Sequence, residues 1–391
     1  MPSGLASRPP ALWRGSDVPH GGQDRSRRGP VALRSFAFYC GLNLLHRTSA
    51  QVDIKDAIAR VVEGRDLTSE EMASVMRIIM TGGATPAQIA GFLVALRMKG
   101  ETVAEIAAAA EVMRSLATGV DLADLPHTVD IVGTGGDASG TFNVSSASMF
   151  VAAAAGCHVA KHGNRSVSSK SGSADVLEAA GVRLDLKPEQ VARCVAEVGA
   201  GFMFAPTHHG AMKHAIGPRR ELGVRTLFNV LGPLTNPAGV PNQVLGVFDE
   251  SLLAPLAQVL QRLGSRHVLV VHARDGLDEI SVGDRTEVAE LKGGEILRYS
   301  IQPEDYGLRR SPIAAIRVSG PDESLAMLLG VLEDRAGPAR DIVVLNAAAA
   351  IYAAGVAESL QRGVALADAA IASGEARNRL DRLVILSQSF D

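Results

Sequence analysis

Apolar residues recur three and four positions apart between Val52 and Ala117, as in Val75-Ile78-Ile79 and Ile89-Phe92-Leu93-Leu96. That spacing predicts amphipathic helices. Three helix starts are written as capping boxes: Thr68-Ser-Glu-Glu71, Thr85-Pro-Ala-Gln88 and Thr102-Val-Ala-Glu105. In each, the threonine oxygen accepts from the N3 amide and the N3 side chain reaches back to the N-cap. Pro86 falls at N1, where its missing N–H costs nothing. The segment reads as a bundle of four short helices. Its aliphatic faces exceed what the four can bury among themselves, which predicts contact with a partner.

The pattern changes at Thr128. Val129–Val132 is a short apolar strand that runs into a glycine loop. A helix is expected over Ser145–Ala155, a strand at His158–Ala160, and helices over Val176–Ala180 and Pro188–Val198. Val268–Val271 is a further strand, ending at Asp275-Gly276. An Ala-rich helix is expected over Ile342–Ala354, with two more over Ser359–Ala372 and Ala376–Leu386. Strand, loop and helix repeated in this order predict an α/β fold, with a mainly parallel central sheet flanked by helices. The small N-terminal helical bundle precedes it.

Composition adds limits. With 391 residues, 47% of them apolar, the chain can hold two domains and a sizeable core. Net charge is −3, unevenly spread. Residues 1–50 carry seven Arg, no Lys and two Asp, hence +5, so the remainder carries −8. A mildly acidic body argues against nonspecific nucleic-acid binding. The Arg-, Pro- and Gly-rich head has no period. It reads as a disordered extension translated from an upstream start, or as a transit peptide. Cys40, Cys157 and Cys194 form no metal spacing and suit buried thiols in a reducing compartment, the cytoplasm. No apolar run reaches the ~20 residues that span a bilayer, so no membrane association is expected.

The chemistry is concentrated between residues 130 and 175. Asp130-Ile-Val-Gly-Thr-Gly-Gly-Asp137 is followed by Asn143-Val-Ser-Ser146, Lys161-His-Gly-Asn-Arg-Ser-Val-Ser-Ser169 and Gly172-Ser-Ala-Asp175. Glycines let backbone N–H groups approach phosphate, and a strand-to-helix loop is where open α/β sheets bind ligands. This is no GxGxxG with a downstream ribose acid, which disfavours a dinucleotide. Asn143-Val-Ser-Ser146 serves equally as an N-cap and as a phosphate cradle. Lys161 would neutralise phosphate as a point charge. Asp278 and Glu279 follow the Val268–Val271 strand. Two adjacent loop acids are usually just solvated, but beside a phosphate cradle they suit hard Mg2+. Arg219, Arg220 and Arg225 recur near helical spacing, and one could fork onto a substrate carboxylate. His208 and His209 have no Cys or His partners nearby that would make a metal site.

Together with Arg219-x-x-Leu-Gly-x-Arg-Thr-x-Phe-Asn229 and Asp275-Gly-Leu-Asp-Glu-Ile-Ser281, these motifs resemble the anthranilate phosphoribosyltransferases. The resemblance runs from about Val52 to the C-terminus. It implies a small helical domain over 52–118, with a returning helical segment near 207–228. It also implies a large phosphoribosyl-binding domain over 125–206 and 230–391, a cleft between the two, and a homodimer through the helical domains. The implied substrates are anthranilate and phosphoribosyl diphosphate, in tryptophan biosynthesis, with two Mg2+ ions per subunit. By motif, Gly133, Gly136, Asp137, Thr141, Asn143, Val144, Ser145 and Ser146 would hold the diphosphate and ribose end. Lys161, His162, Gly163, Asn164, Arg165, Ser166, Val167, Ser168, Ser169 and Ser173 would hold the phosphoribosyl group. Gly133, Asn164 and Arg219 would contact anthranilate. Ser145, Asp278 and Glu279 would bind Mg2+, with Asp278, Glu279 and Lys161 carrying catalysis. Ser146 stands where the family often has Thr, with the hydroxyl kept.

Two other readings stay open at this level. One is a nucleoside phosphorylase of the same general architecture, which the acid pair and the complete Lys161 loop disfavour. The other is a non-catalytic relative that binds nucleic acid, which the acidic body disfavours.

Overall fold

The computed structural model describes residues 52–136, 139–166 and 171–390. The head and four site positions, Asp137, Val167, Ser168 and Ser169, lie outside the described residues. Four helices open the described chain: α1 (Ile54–Val62), α2 (Ser69–Met80), α3 (Pro86–Lys99) and α4 (Val103–Ser115). All three expected capping boxes form, at Thr68, Thr85 and Thr102. The third extends inward: Glu105 is fully buried and also accepts from the Leu67 amide (2.9 Å) and the Lys99 ammonium (2.9 Å).

Among the described residues seven strands follow: β1 (Thr128–Gly133), β2 (His158–Gly163), β3 (Ala200–Phe204), β4 (Asn242–Gly246), β5 (His267–Ala273), β6 (Thr286–Lys292) and β7 (Glu295–Ile301). The later helices are α5 (Val144–Ala154), α6 (Ser173–Ala179), α7 (Pro188–Val198), α8 (Ala205–His208), α9 (Lys213–Leu222) and α10 (Leu227–Leu231). After them come α11 (Leu253–Arg262), α12 (Pro321–Leu332), α13 (Pro338–Ala353), α14 (Leu360–Ala372) and α15 (Glu375–Gln388). The strands make one sheet in the order β3-β2-β1-β4-β5-β6-β7. The first five are parallel, while β6 and β7 are antiparallel. The sequence reading did not foresee β3, β4 or this hairpin. The β6–β7 turn is Gly293-Gly294, both with positive φ, a hairpin signal.

Successive side chains of a strand face opposite sides. Leu269 and Val271 enter the core shared with α5, α7 and α12–α15, whereas Val268 and Val270 enter the core shared with α1–α4 and α11. α4 packs against α11, so part of the bundle's surplus apolar face is buried within the chain. The segment after β3 returns to the bundle: α9 packs on α2 and α3, and α10 packs on α3 and α4. The helical spacing expected for Arg219, Arg220 and Arg225 does not hold throughout. Arg219 and Arg220 lie in α9, but Gly223 ends that helix in the left-handed region at φ 61°, which leaves Arg225 in the following loop.

Strand order sets the site. The chain lays β2 and β3 on one side of β1, then crosses to lay β4 and β5 on the other. The switch point is therefore the β1–β4 junction, and the crevice beyond the carboxyl ends of those strands is the favoured ligand position.

Candidate active site

Gly133 ends β1 and Gly246 ends β4, side by side in register. The Asp278 segment crosses directly over both. A Cβ at Gly246 would overlap the Asp278 carbonyl, and one at Gly133 would collide with its carboxylate. Glycine at these strand ends is what lets an acid reach the switch point. Asp278 Oδ2 accepts the Gly135 N–H (2.8 Å), which fastens the acid loop to the glycine loop. The sequence reading included Gly133 and missed Gly246. The only signal for Gly246 was a glycine after the apolar Val244-Leu245.

Ser145, in the first turn of α5, faces the same recess as Asp278, Glu279 and Gly133. Asn143 caps α5, its carboxamide oxygen accepting the Ser146 N–H (3.0 Å), and its own N–H donates to Ser324 Oγ (3.0 Å). So the cap is real, and it aims the helix N-terminus and its positive dipole end at the recess. Val144 and Ser146 are buried; among the described residues Ser146 Oγ has no hydrogen-bond partner. Thr141 forms a β-bridge with Arg317, which braces the far side of the glycine loop. Arg225 donates to the Gly136 carbonyl and lies over the Phe248 ring at 3.9 Å.

Lys161 is not on the surface of its loop. It is 2% exposed, and its ammonium donates to the Ile131 carbonyl and to Ser145 Oγ (3.0 Å). Burial pulls its pKa down, while Asp130, Glu279 and Asp278 favour the charged form. Asp130, fully buried, accepts from the His162 amide (3.1 Å) and from Asn236 Nδ2 (2.7 Å). Burial raises its carboxyl to about 6, against Lys161 and these hydrogen bonds. Neither Asp130, which opens the first motif, nor Asn236 has a role that the sequence shows. In the fold they fix the floor of the site.

Beyond Gly163, Asn164 is exposed and Arg165 is taken up by acids. Its guanidinium pairs with Glu178 (2.6 and 2.9 Å) and Asp175 (3.2 Å). Asp175 Oδ2 also accepts the N–H of Ser166 (3.1 Å) and of Gly172 (2.9 Å), which ties together the two ends of this loop. Ser173 Oγ bonds to the Asn164 carbonyl (3.4 Å).

Arg219 is half-buried over the Phe228 ring, 5.0 Å from its centroid, and burial lowers its pKa. Among the described residues no carboxylate pairs with it. His162 and His209 are buried with ring centroids 5.0 Å apart. Among the described residues the Nε2 of each has no hydrogen-bond partner, and burial lowers the two rings to about 3 and about 4. Among the described residues no group of three His, Cys, Asp or Glu forms a metal cage. Two carboxylates and a hydroxyl around a recess do suit Mg2+, which keeps waters and takes its remaining oxygens from a substrate's phosphates.

Comparison with known proteins agrees with this layout. Residues 125–377 match the glycosyl transferase family, a/b domain, and residues 55–117 match the glycosyl transferase family, helical bundle domain. The chain is 64% identical to anthranilate phosphoribosyltransferase of Thioalkalivibrio sulfidiphilus over 338 residues, 86% of this chain and all of that protein. It is 61% identical to the Cellvibrio japonicus enzyme of the same name, over 86% of this chain and 99% of that one. Among solved structures, anthranilate phosphoribosyltransferase from Thermus thermophilus is similar with TM-score 0.81 and 47% identity, covering 85% of this chain and 100% of the other. The Saccharomyces cerevisiae enzyme in complex with PRPP (phosphoribosyl diphosphate) and Mg matches with TM-score 0.79 and 27% identity, covering 86% and 98%.

Proposed function

The chain belongs to the anthranilate phosphoribosyltransferase family, and from that premise we infer how its own residues carry the family's reaction. It transfers the 5-phosphoribosyl group of phosphoribosyl diphosphate to the amine of anthranilate, giving phosphoribosyl anthranilate and diphosphate in tryptophan biosynthesis. Mg2+ is its cofactor. At 64% identity to a named member, the phosphorylase and nucleic-acid-binding readings are not favoured.

The observation that carries the residue assignment is the convergence of the glycine loop, the α5 N-terminus and the Asp278-Glu279 pair at the sheet's switch point. We assign the diphosphate to that recess, among the Gly133–Gly136 loop, Thr141, Asn143 and the first turn of α5. The phosphoribosyl end falls to the loop that begins at His162-Gly163-Asn164. Ser145, Asp278 and Glu279 would hold Mg2+, two ions per subunit in our reading. When bound, Mg2+ offsets negative charge on the diphosphate.

Anthranilate's amine is attached to an aromatic ring and is neutral near pH 7, so attack needs no strong base. The barrier is cleavage of the bond from ribose C1 to the diphosphate oxygen, whose electron pair leaves with diphosphate. Amides of the glycine loop and the α5 N-terminus stabilise the charge that builds on that leaving group. The amine nitrogen then bonds to the oxocarbenium-like C1 and sheds one proton. Arg219, through the anthranilate carboxylate, holds the amine in place and supplies the entropic advantage. Lys161 acts from below through Ser145, its charge offsetting the paired acids above. Arg165 braces the phosphoribosyl loop through Asp175 and Glu178. No covalent enzyme intermediate is required.

We place the domain division at 52–118 with the returning 207–228 segment, against 125–206 with 230–391. We also take the chain to be a homodimer through the helical layer. Val62, Met98, Leu116, Ile216 and Val224, all in that layer or its returning segment, are large apolar residues left exposed.

Alanine at both Asp278 and Glu279 tests the assignment. Turnover in Mg2+ is expected to fall by at least roughly 100-fold, equivalent to about 3 kcal/mol or more. Near-normal turnover contradicts the metal role.

A further inference from the structure

Asn346 is the one polar side chain in the central stretch of α13, between Ile342-Val343-Val344-Leu345 and Ala347-Ala348-Ala349-Ala350, all buried. It is 2% exposed. A carboxamide in such surroundings costs free energy unless its donors and acceptor are used. Here all are used. Asn346 Oδ1 accepts the Ile280 N–H (3.0 Å), and Nδ2 donates to the Ile280 carbonyl (2.8 Å) and to the Ile342 carbonyl (2.9 Å). The side chain thus grips both backbone groups of Ile280, as a neighbouring strand would. Ile280 directly follows Glu279, and Asn346 lines the same recess as Asp278, Glu279 and Ser145.

The acid segment is therefore held from two sides. Gly133 and Gly246 let it settle onto the strand ends, and Asn346 fixes its exit. We propose that Asn346 is a positioning residue for the Asp278-Glu279 pair, and that its grip on Ile280 sets how tightly the pair holds a divalent cation. The proposal rests on the metal reading of that pair. Asn346 touches no reacting atom; it acts through the peptide it holds. An apolar helix packed on a sheet has no need of an amide at this depth, whereas a metal loop without regular hydrogen bonding does need fixing. Partners behind first ligands change metal affinity by about 10- to 100-fold when removed.

Two readouts that do not depend on turnover test it. The first is amide hydrogen exchange on the metal-free full chain. In the unaltered protein the Ile280 amide is expected to exchange as slowly as the β5 amides; exchange at the rate of an exposed loop overturns the proposal. In Asn346→Leu, which keeps the volume but not the hydrogen bonds, exchange should quicken about tenfold or more across 277–282, the scale of one lost buried hydrogen bond, and little elsewhere. The second is Mn2+ binding, followed by water-proton relaxation with phosphoribosyl diphosphate present and anthranilate absent. Asn346→Leu should weaken it about tenfold or more, with the affinity for anthranilate unchanged. Asp278→Ala is the control. If Asp278→Ala weakens Mn2+ binding and Asn346→Leu does not, only the proposal falls. If neither does, the metal reading falls and takes the proposal with it. Should Asn346→Leu fail to fold, the unaltered protein's Ile280 exchange still decides.

Discussion

Lys161 and Arg219 show how far a residue's type predicts its work. Both read from sequence as cations for an anionic substrate. Arg219 is half-buried on Phe228 without a carboxylate partner among the described residues, which leaves its charge available for the substrate role we propose. Lys161 instead lies under the site, bonded to Ser145 and Ile131. Loop composition cannot reveal this, because Lys161 belongs to β2, a strand buried on both faces. Arg219→Ala should raise the anthranilate KM by roughly tenfold or more, the scale of a lost charge-assisted hydrogen bond. The KM for phosphoribosyl diphosphate should move much less; equal effects in steady-state kinetics contradict the assignment. The buried imidazoles give a pH prediction. His162 and His209 are lowered to about 3 and about 4, from about 6.5 when unfolded. Below pH 6.5 the unfolded chain binds protons that the native chain does not, so stability falls on acidification. Each imidazole contributes at most about 1.4 kcal/mol per pH unit. Asp130, raised to about 6, has the opposite sign between about 4 and 6, because its native form keeps a proton the unfolded form has lost. Two imidazoles outweigh one carboxyl, so Tm should drop between pH 6.5 and 4. His162→Asn should flatten that slope; an unchanged slope contradicts the buried, neutral ring.

Among the elements, helices with local start signals were legible, because a capping box and an N1 proline act within four residues. Strands were legible only where an apolar run stood out, as at β1, β2 and β5. Asn242-Gln-Val-Leu-Gly246 has two polar residues, buried and bonded to Thr128 and Pro233 carbonyls. Those partners lie 114 and 10 residues away, so no local pattern could show β4. Gly246 is the site position lost with it. Gly246→Ala should displace the acid loop at a cost of about 1–3 kcal/mol, while the helical layer stays folded. Circular dichroism with steady-state kinetics checks this: near-native helix content with kcat/KM down at least roughly tenfold is expected, and full activity would mean Asp278 does not rest on that strand end.

For the whole molecule, the layout of a helical bundle beside an α/β sheet followed from pattern and from family resemblance together. The return of the chain after β3 to α9 and α10 came from the resemblance alone, since nothing in residues 205–231 says where they dock. No helix among the described residues is long and apolar enough to cross a membrane. In our reading the exposed apolar residues of the helical layer meet a second copy. Met98, 82% exposed on α3, is the sharpest probe: Met98→Asp should shift sedimentation from dimer toward monomer, and an unshifted dimer places the interface elsewhere. In our reading one recess at the β1–β4 switch point brings the sugar diphosphate, its metal and anthranilate together. The most direct measurement follows anthranilate fluorescence with the full chain, with and without phosphoribosyl diphosphate and with and without Mg2+. Loss of the signal only when both are present is the predicted result. Persistence of the signal with both present, in a folded protein, would contradict it.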